Sequence, residues 1–197
     1  MTIFSIYHFT YLLICTIICV IFYYALKNKS DKTKFIATFI PLALAFVIHF
    51  LKLFIPFYKD NLPSSIMSIT LESVCAISTL SFPFIYFSKN NILKNYMVII
   101  GTLSGLLTLI FPLEIANLNP FNIEIIRFFF AHLAIFISSL FMYIFNIYRP
   151  KGKWIKHSIY LLLLALFIVY INSIVFTFIL EGYKEGMEFL KYLNIIH

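Results

Sequence analysis

The chain has 197 residues, of which 62% are hydrophobic and only 12% charged, with a mean hydropathy of +0.96. Soluble domains are nearer half apolar and a quarter charged, so this composition excludes a soluble domain and points to the membrane. The formal net charge of +7 is no signal for nucleic acid, because nearly all basic residues fall in short connections between apolar runs.

About 20 mainly apolar residues cross a bilayer as a helix. Six runs meet that measure: 3–26, 35–57, 65–87, 95–114, 123–147 and 157–180. The predicted fold class is therefore all-α, a polytopic bundle of six transmembrane helices in one domain over 1–180, with a short tail over 181–197. The first run lacks a charged leader region and a small-residue cleavage site, so no signal peptide is predicted. It places His8, Cys15 and Cys19 on one stripe at i, i+7 and i+11. The second run ends with His49 and Lys52. The third carries Glu72, Cys75 and Thr79 at i, i+3 and i+7. In the fourth, "GTLSGLLTLIFP" holds Gly101 and Gly105 as a GxxxG, the spacing of closely packed helices, followed by Thr108 and Glu114. The fifth opens on Glu124 and Arg127, i, i+3 neighbours able to pair at the interface, and carries His132 about 140° round the helix from Arg127. The sixth contains Asn172 and ends near Glu181. The tail "EGYKEGMEFLKYLNIIH" is too short to span again.

The connection "KNKSDKTK" has four lysines, "SKNNILK" two, and "YRPKGKWIKH" one arginine and three lysines. "YKDNLP" and "LEIANLNPFNIE" share a single lysine. Positively charged connections stay cytoplasmic, so both termini are predicted outside the cell membrane. His132 then lies ~13 Å below the outer edge, and Glu72 and Cys75 ~10–15 Å, at 1.5 Å per residue. His8, His49, Lys52, Thr108, Glu114, Asn172 and Glu181 also fall in the outer halves of their helices, which implies a polar pocket on that side. Ionisable groups in a membrane need a partner or a job, and His132 has no local partner. The cysteines Cys15, Cys19 and Cys75 form no CxxC pair and all lie in apolar runs, so no metal site, disulfide framework or cofactor is indicated.

The chain resembles the YwaF-like integral membrane proteins of low-GC bacteria. The likeness runs over "FSIYH" (Phe4, Ser5, His8), "ESVCAIS" around Cys75, "GTLSGLLTLIFP" ending at Phe111 and Pro112, "FFFAH" (Phe128, Phe129, His132), and Asn172. The 24 Phe and 13 Tyr beside 5 Gly also fit an AT-rich bacterial genome. That family is related to a mammalian transmembrane acyltransferase that remodels ether phospholipids through a cysteine and a histidine. More distantly it is similar to the androgen-induced lipid hydrolases, which pair a threonine with a histidine. The resemblance implies His132 as the catalytic histidine and Cys75 as its nucleophile, with His8, Glu72, Asn172, Thr108 and Ser5 supporting the pocket. The chain departs from the pattern at Leu71–Val74, where a Pro and a His often precede the cysteine, and after Pro112, where Glu114 follows in place of an Asp. Glu72 stands at the mammalian cysteine's position.

The function this implies is acyl transfer or hydrolysis on membrane lipid esters. An imidazole that takes the thiol proton gives a thiolate able to attack an ester carbonyl. Against this stands a different class, the substrate-binding subunit of a transporter or a small receptor. Such importer subunits dock through small-residue stripes on the first helix, whereas "YHFTYLLICTIICVIFYYAL" is bulky throughout. Membrane lipids are the expected partners, and nucleic acid is not.

Overall fold

A computed structural model describes residues 4–54, 70–71, 73–115 and 118–192. Side chains of residues 53, 114 and 185–192 lie outside the description, as does the whole of Glu72. The described chain is all-helical, a multi-pass membrane bundle of six helices, five of them long and apolar enough to cross a bilayer. They are α1 (Ile6–Leu26), α2 (Asp31–Leu51), α3 (Val74–Phe87), α4 (Asn91–Ile110), α5 (Ile123–Ile144) and α6 (Trp154–Tyr192).

Five of these helices begin where a short polar side chain can cover a free backbone N–H. Ser5 Oγ accepts from the N–H of His8, Ser30 Oγ from Thr33, Ser73 Oγ from Ala76, and Asn122 Oδ1 from Glu124. Asn90 Oδ1 takes the N–H groups of both Ile92 and Leu93. These caps shift the expected boundaries. α2 and α4 start four residues earlier than hydropathy alone places them, because Ser30 and Asn90 can nucleate a turn that includes lysine. α4 stops at Ile110, two residues before Pro112. α3 begins only at Val74, with Ser73 in extended backbone and Thr70 and Leu71 non-helical. The remainder of the expected start, 65–69 and residue 72, lies outside the described residues. α6 runs on through the tail to Tyr192, 39 residues in all. At 1.5 Å per residue it is about twice as long as a bilayer core is thick.

α5 is the central helix, packed against α4, α2, α1 and α3. α6 lies against α4 and α3. The helices meet closely where sequence provides no side chain. A Cβ on Gly101 would overlap Ser139 Oγ of α5 and come within 2.6 Å of the Phe82 ring of α3. One on Gly105 would lie 2.9 Å from the backbone nitrogen of Phe136. The GxxxG thus lets two backbones touch. Hydrogen bonds from buried hydroxyls add specific links: Tyr86 Oη donates to Phe35 O at 2.8 Å, and Ser138 Oγ donates to Thr38 O at 2.8 Å.

Because the chain runs up and down, the lysine-rich connections after α1, α3 and α5 gather at one end of the bundle. The ends of α2 and α4 and the starts of α1, α3 and α5 meet at the other end, with His49, Cys75 and His132 among them.

Candidate functional site

The end of α2 brings two basic side chains inward. His49 and Lys52 are one turn apart, and both are buried. Opposite them, Asn122 caps α5 and sets Glu124 on its first turn and Arg127 at the start of the next. Arg127 Nε donates to Glu124 Oε2 at 2.7 Å, and a second bond joins Nη2 to Oε1. This is the i, i+3 pair expected from sequence, and both partners are largely withdrawn from solvent.

His132 follows five residues later, 6% exposed. Its Nδ1 lies 2.8 Å from the Phe128 carbonyl oxygen. A carbonyl can only accept, so Nδ1 carries the hydrogen and the neutral ring keeps its lone pair on Nε2. The Phe128 ring, 4.2 Å away between centroids, holds the imidazole in that orientation.

The third wall is the start of α3. Ser73 caps it, and Cys75 sits in its first turn, at the positive end of the helix dipole. Cys75 Sγ is 3.6 Å from Thr108 Oγ1 at the end of α4. Thr79 Oγ1 donates to the Cys75 carbonyl at 2.9 Å, which fixes the turn from below.

These walls enclose one small polar cleft. Cys75, Thr79 and Ser73 line it from α3, His132 and Arg127 from α5, and His49 and Lys52 from α2. Ala45, Ala76 and Ala131 complete the lining, and their small side chains leave the space open. The cavity measures about 30 Å³, room for a water or one small polar group. Chemically it offers a thiol, an imidazole with its Nε2 lone pair, the Lys52 amine and an Arg127 guanidinium already paired with Glu124.

The other sequence candidates distribute differently. Thr108 joins the site through Cys75. Asn172 Nδ2 donates to Thr70 Oγ1 at 3.2 Å, tying α6 to the segment that leads into Cys75. His8 is fully buried but lies outside the cleft lining, and both of its nitrogens are occupied. Nε2 donates to Leu109 O at 3.0 Å, and Nδ1 accepts from the Phe4 N–H at 3.1 Å. It fastens α1 to the end of α4 and has no lone pair to spare. Ser5 serves as the α1 cap. Glu72 lies outside the described residues, so the Glu72–Cys75–Thr79 stripe is seen only at its last two members. Cys15 packs into the apolar core with Leu109, Phe128 and Leu133, and Cys19 packs against it.

Two lining residues, His49 and Lys52, carry no weight in the family likeness. Their signal was available: two basic residues at i, i+3, at the same end of the bundle as His132 and Cys75. Arg127 also faces the cleft, so the interfacial pair and the site share a residue.

The sequence profile of the TMEM164 family matches residues 3–183, nearly the whole chain. The chain belongs to the TMEM164 family. The match takes in α1 to α5 and α6 as far as residue 183, including every cleft residue named above. No curated protein and no solved structure matches the chain.

Proposed function

We propose that this TMEM164-family protein is a membrane-embedded enzyme that moves or hydrolyses the acyl group of a lipid ester, with Cys75 as nucleophile and His132 as base. The observation that carries the reading is the shared cleft: α3 and α5 bring the thiol and an imidazole of defined tautomer to the same 30 Å³ space. The likeness to the YwaF-like proteins and their acyltransferase relative points to the same two residues.

The chemistry balances in two halves. His132 Nε2 takes the Cys75 proton, and the sulfur attacks the ester carbonyl. The ester C–O bond breaks, the departing lipid alcohol recovers the proton from the imidazole, and the acyl group rests on Cys75 as a thioester. A second lipid's hydroxyl, or water, then gives its proton to Nε2, attacks the thioester and restores the thiol. Lys52, the first turn of α3 and Arg127, which stays paired with Glu124, lie beside the carbonyl oxygen that becomes negative on the way. So small a cavity admits the ester group alone, leaving the acyl chains in the surrounding bilayer.

An activated long-chain acyl ester tests the nucleophile. It should label Cys75, and hydroxylamine should release the label, as it does from a thioester. Cys15→Ser and Cys19→Ser should label as fully as the unaltered chain, and Cys75→Ala should not label. Lipid turnover that persists in Cys75→Ala rules the cysteine out and leaves water or a threonine, Thr79 or Thr108, activated by His132.

The lysine-rich end is proposed to be cytoplasmic, by the charge rule for short connections. The cleft then lies in the extracytoplasmic half of the membrane with both termini on that side. Tags at either terminus should react with an impermeant reagent added to intact cells. Protection of both reverses the orientation and gives the site to the cytoplasmic leaflet.

A further inference from the structure

A large groove lies at the lysine-rich end, the opposite end from the Cys75 cleft. It is an open space of about 590 Å³ between α4 and α5. Val98, Thr102 and Leu103 form one wall and Leu140 the other, while Arg149 and Trp154 close it at the bundle's end. The Thr102 hydroxyl is spent on the Val98 carbonyl at 2.6 Å, so that wall presents no free donor. Leu103 and Tyr143 are about half exposed on the outside of the bundle, where a membrane protein meets lipid. From Val98 to Leu103 the wall runs about 7–8 Å along α4, the depth of the first carbons of an acyl chain.

What lies at the mouth is charged. The Arg149 stem is set by Nε donating to Asn146 Oδ1 at 2.6 Å and by the Tyr143 ring, 5.9 Å from Cζ. The two Nη groups, four of the five donors of the planar fork, suit phosphate oxygens. Lys151 and Lys153 follow on the same connection and Lys156 on the first turn of α6, all exposed, and residues 145–160 contain no Asp or Glu. Trp154 has the amphipathic ring that settles at headgroup level. An apolar slot ending in a fixed guanidinium, three lysines and a tryptophan matches a lipid with a negatively charged head.

We propose that this groove is a binding site for an anionic phospholipid of the leaflet at the lysine-rich end, with the acyl chain along Val98, Leu103 and Leu140 and the phosphate on Arg149. The site is separate from the Cys75–His132 cleft and does not depend on any reaction there.

Trp154 is the chain's single tryptophan, so the groove carries its own reporter. The purified protein is placed in bilayers of phosphatidylcholine in which either phosphatidylglycerol or an equal fraction of phosphatidylcholine bears bromines on the acyl chain. Brominated phosphatidylglycerol should quench Trp154 at about fivefold lower mole fraction than brominated phosphatidylcholine, the preference expected for one basic side chain near a phosphate. Arg149→Gln should remove the preference. Lys89→Gln, at the same end of the bundle but outside the groove lining, should leave it intact. Equal quenching by the two lipids in the unaltered protein overturns the proposal. So does a preference that Lys89→Gln weakens as much as Arg149→Gln does, because that reports a diffuse surface charge. Protection of Trp154 from both lipids also overturns it, and assigns the groove to a second copy of the chain.

Discussion

His132→Gln is expected to lower lipid-ester turnover by about 10²–10⁴-fold, the contribution of a positioned general base, while the protein still inserts and folds. Glutamine has similar volume, and its amide N–H can take over the bond to the Phe128 carbonyl. It cannot accept a proton from the Cys75 thiol or from an incoming hydroxyl. Acylation and deacylation should therefore both slow, and the stable labelling of Cys75 by an activated ester should fall with them. His8→Gln provides the contrast. His8 spends both nitrogens fastening α1 to Leu109 and Phe4, so its loss should lower stability and leave turnover per folded molecule nearly unchanged. If His132→Gln turns lipid over at the unaltered rate, the base assignment fails, and the cleft becomes a binding pocket of the kind a transporter subunit carries.

The difference between these two histidines marks the limit of what could be read from sequence. Both are buried in apolar helices near the same end of the bundle, and both belong to the family likeness. Only tertiary structure shows that a carbonyl from α4, 101 residues away in the chain, closes off His8. His132 is different, because its Nδ1 partner is the local i−4 carbonyl, a bond that any helical histidine facing inward can make. The six apolar runs, the clustering of lysines and the GxxxG were legible because each depends on composition or spacing alone. The start of α3 was not. The span expected over 65–87 places Cys75 ten residues inside a helix. The Ser73 cap instead begins the helix two residues before the cysteine. That changes the sulfur's surroundings from mid-helix to the first turn, at the positive end of the helix dipole. His49 and Lys52 were visible as a pair, but nothing local says that α2 packs beside α5 and turns them toward His132.

The Glu124–Arg127 pair carries the largest expected effect on stability. Glu124 is 3% exposed, and its carboxylate takes two hydrogen bonds from a guanidinium that is itself nearly covered. Its place on the first turn of α5 is also favoured by the helix dipole. Removing one member of a buried pair leaves the other charge without its partner, which costs about 3–5 kcal/mol. Glu124→Gln should therefore unfold at markedly lower temperature or denaturant concentration in detergent. Arg127→Met alone should also be destabilised, because the carboxylate is then left behind. The double variant Glu124→Gln with Arg127→Met removes both charges and should recover most of the loss, a non-additivity that a surface pair would not show. The same series bears on the site, since Arg127 lines the cleft with His132. Turnover in the stable double variant separates the two roles: a rate near normal means that Arg127 only braces the start of α5, and a large fall means that its charge also acts on the lipid ester. Single variants as stable as the unaltered protein would show that the pair is solvated at the membrane surface and does not hold this end of α5 in place.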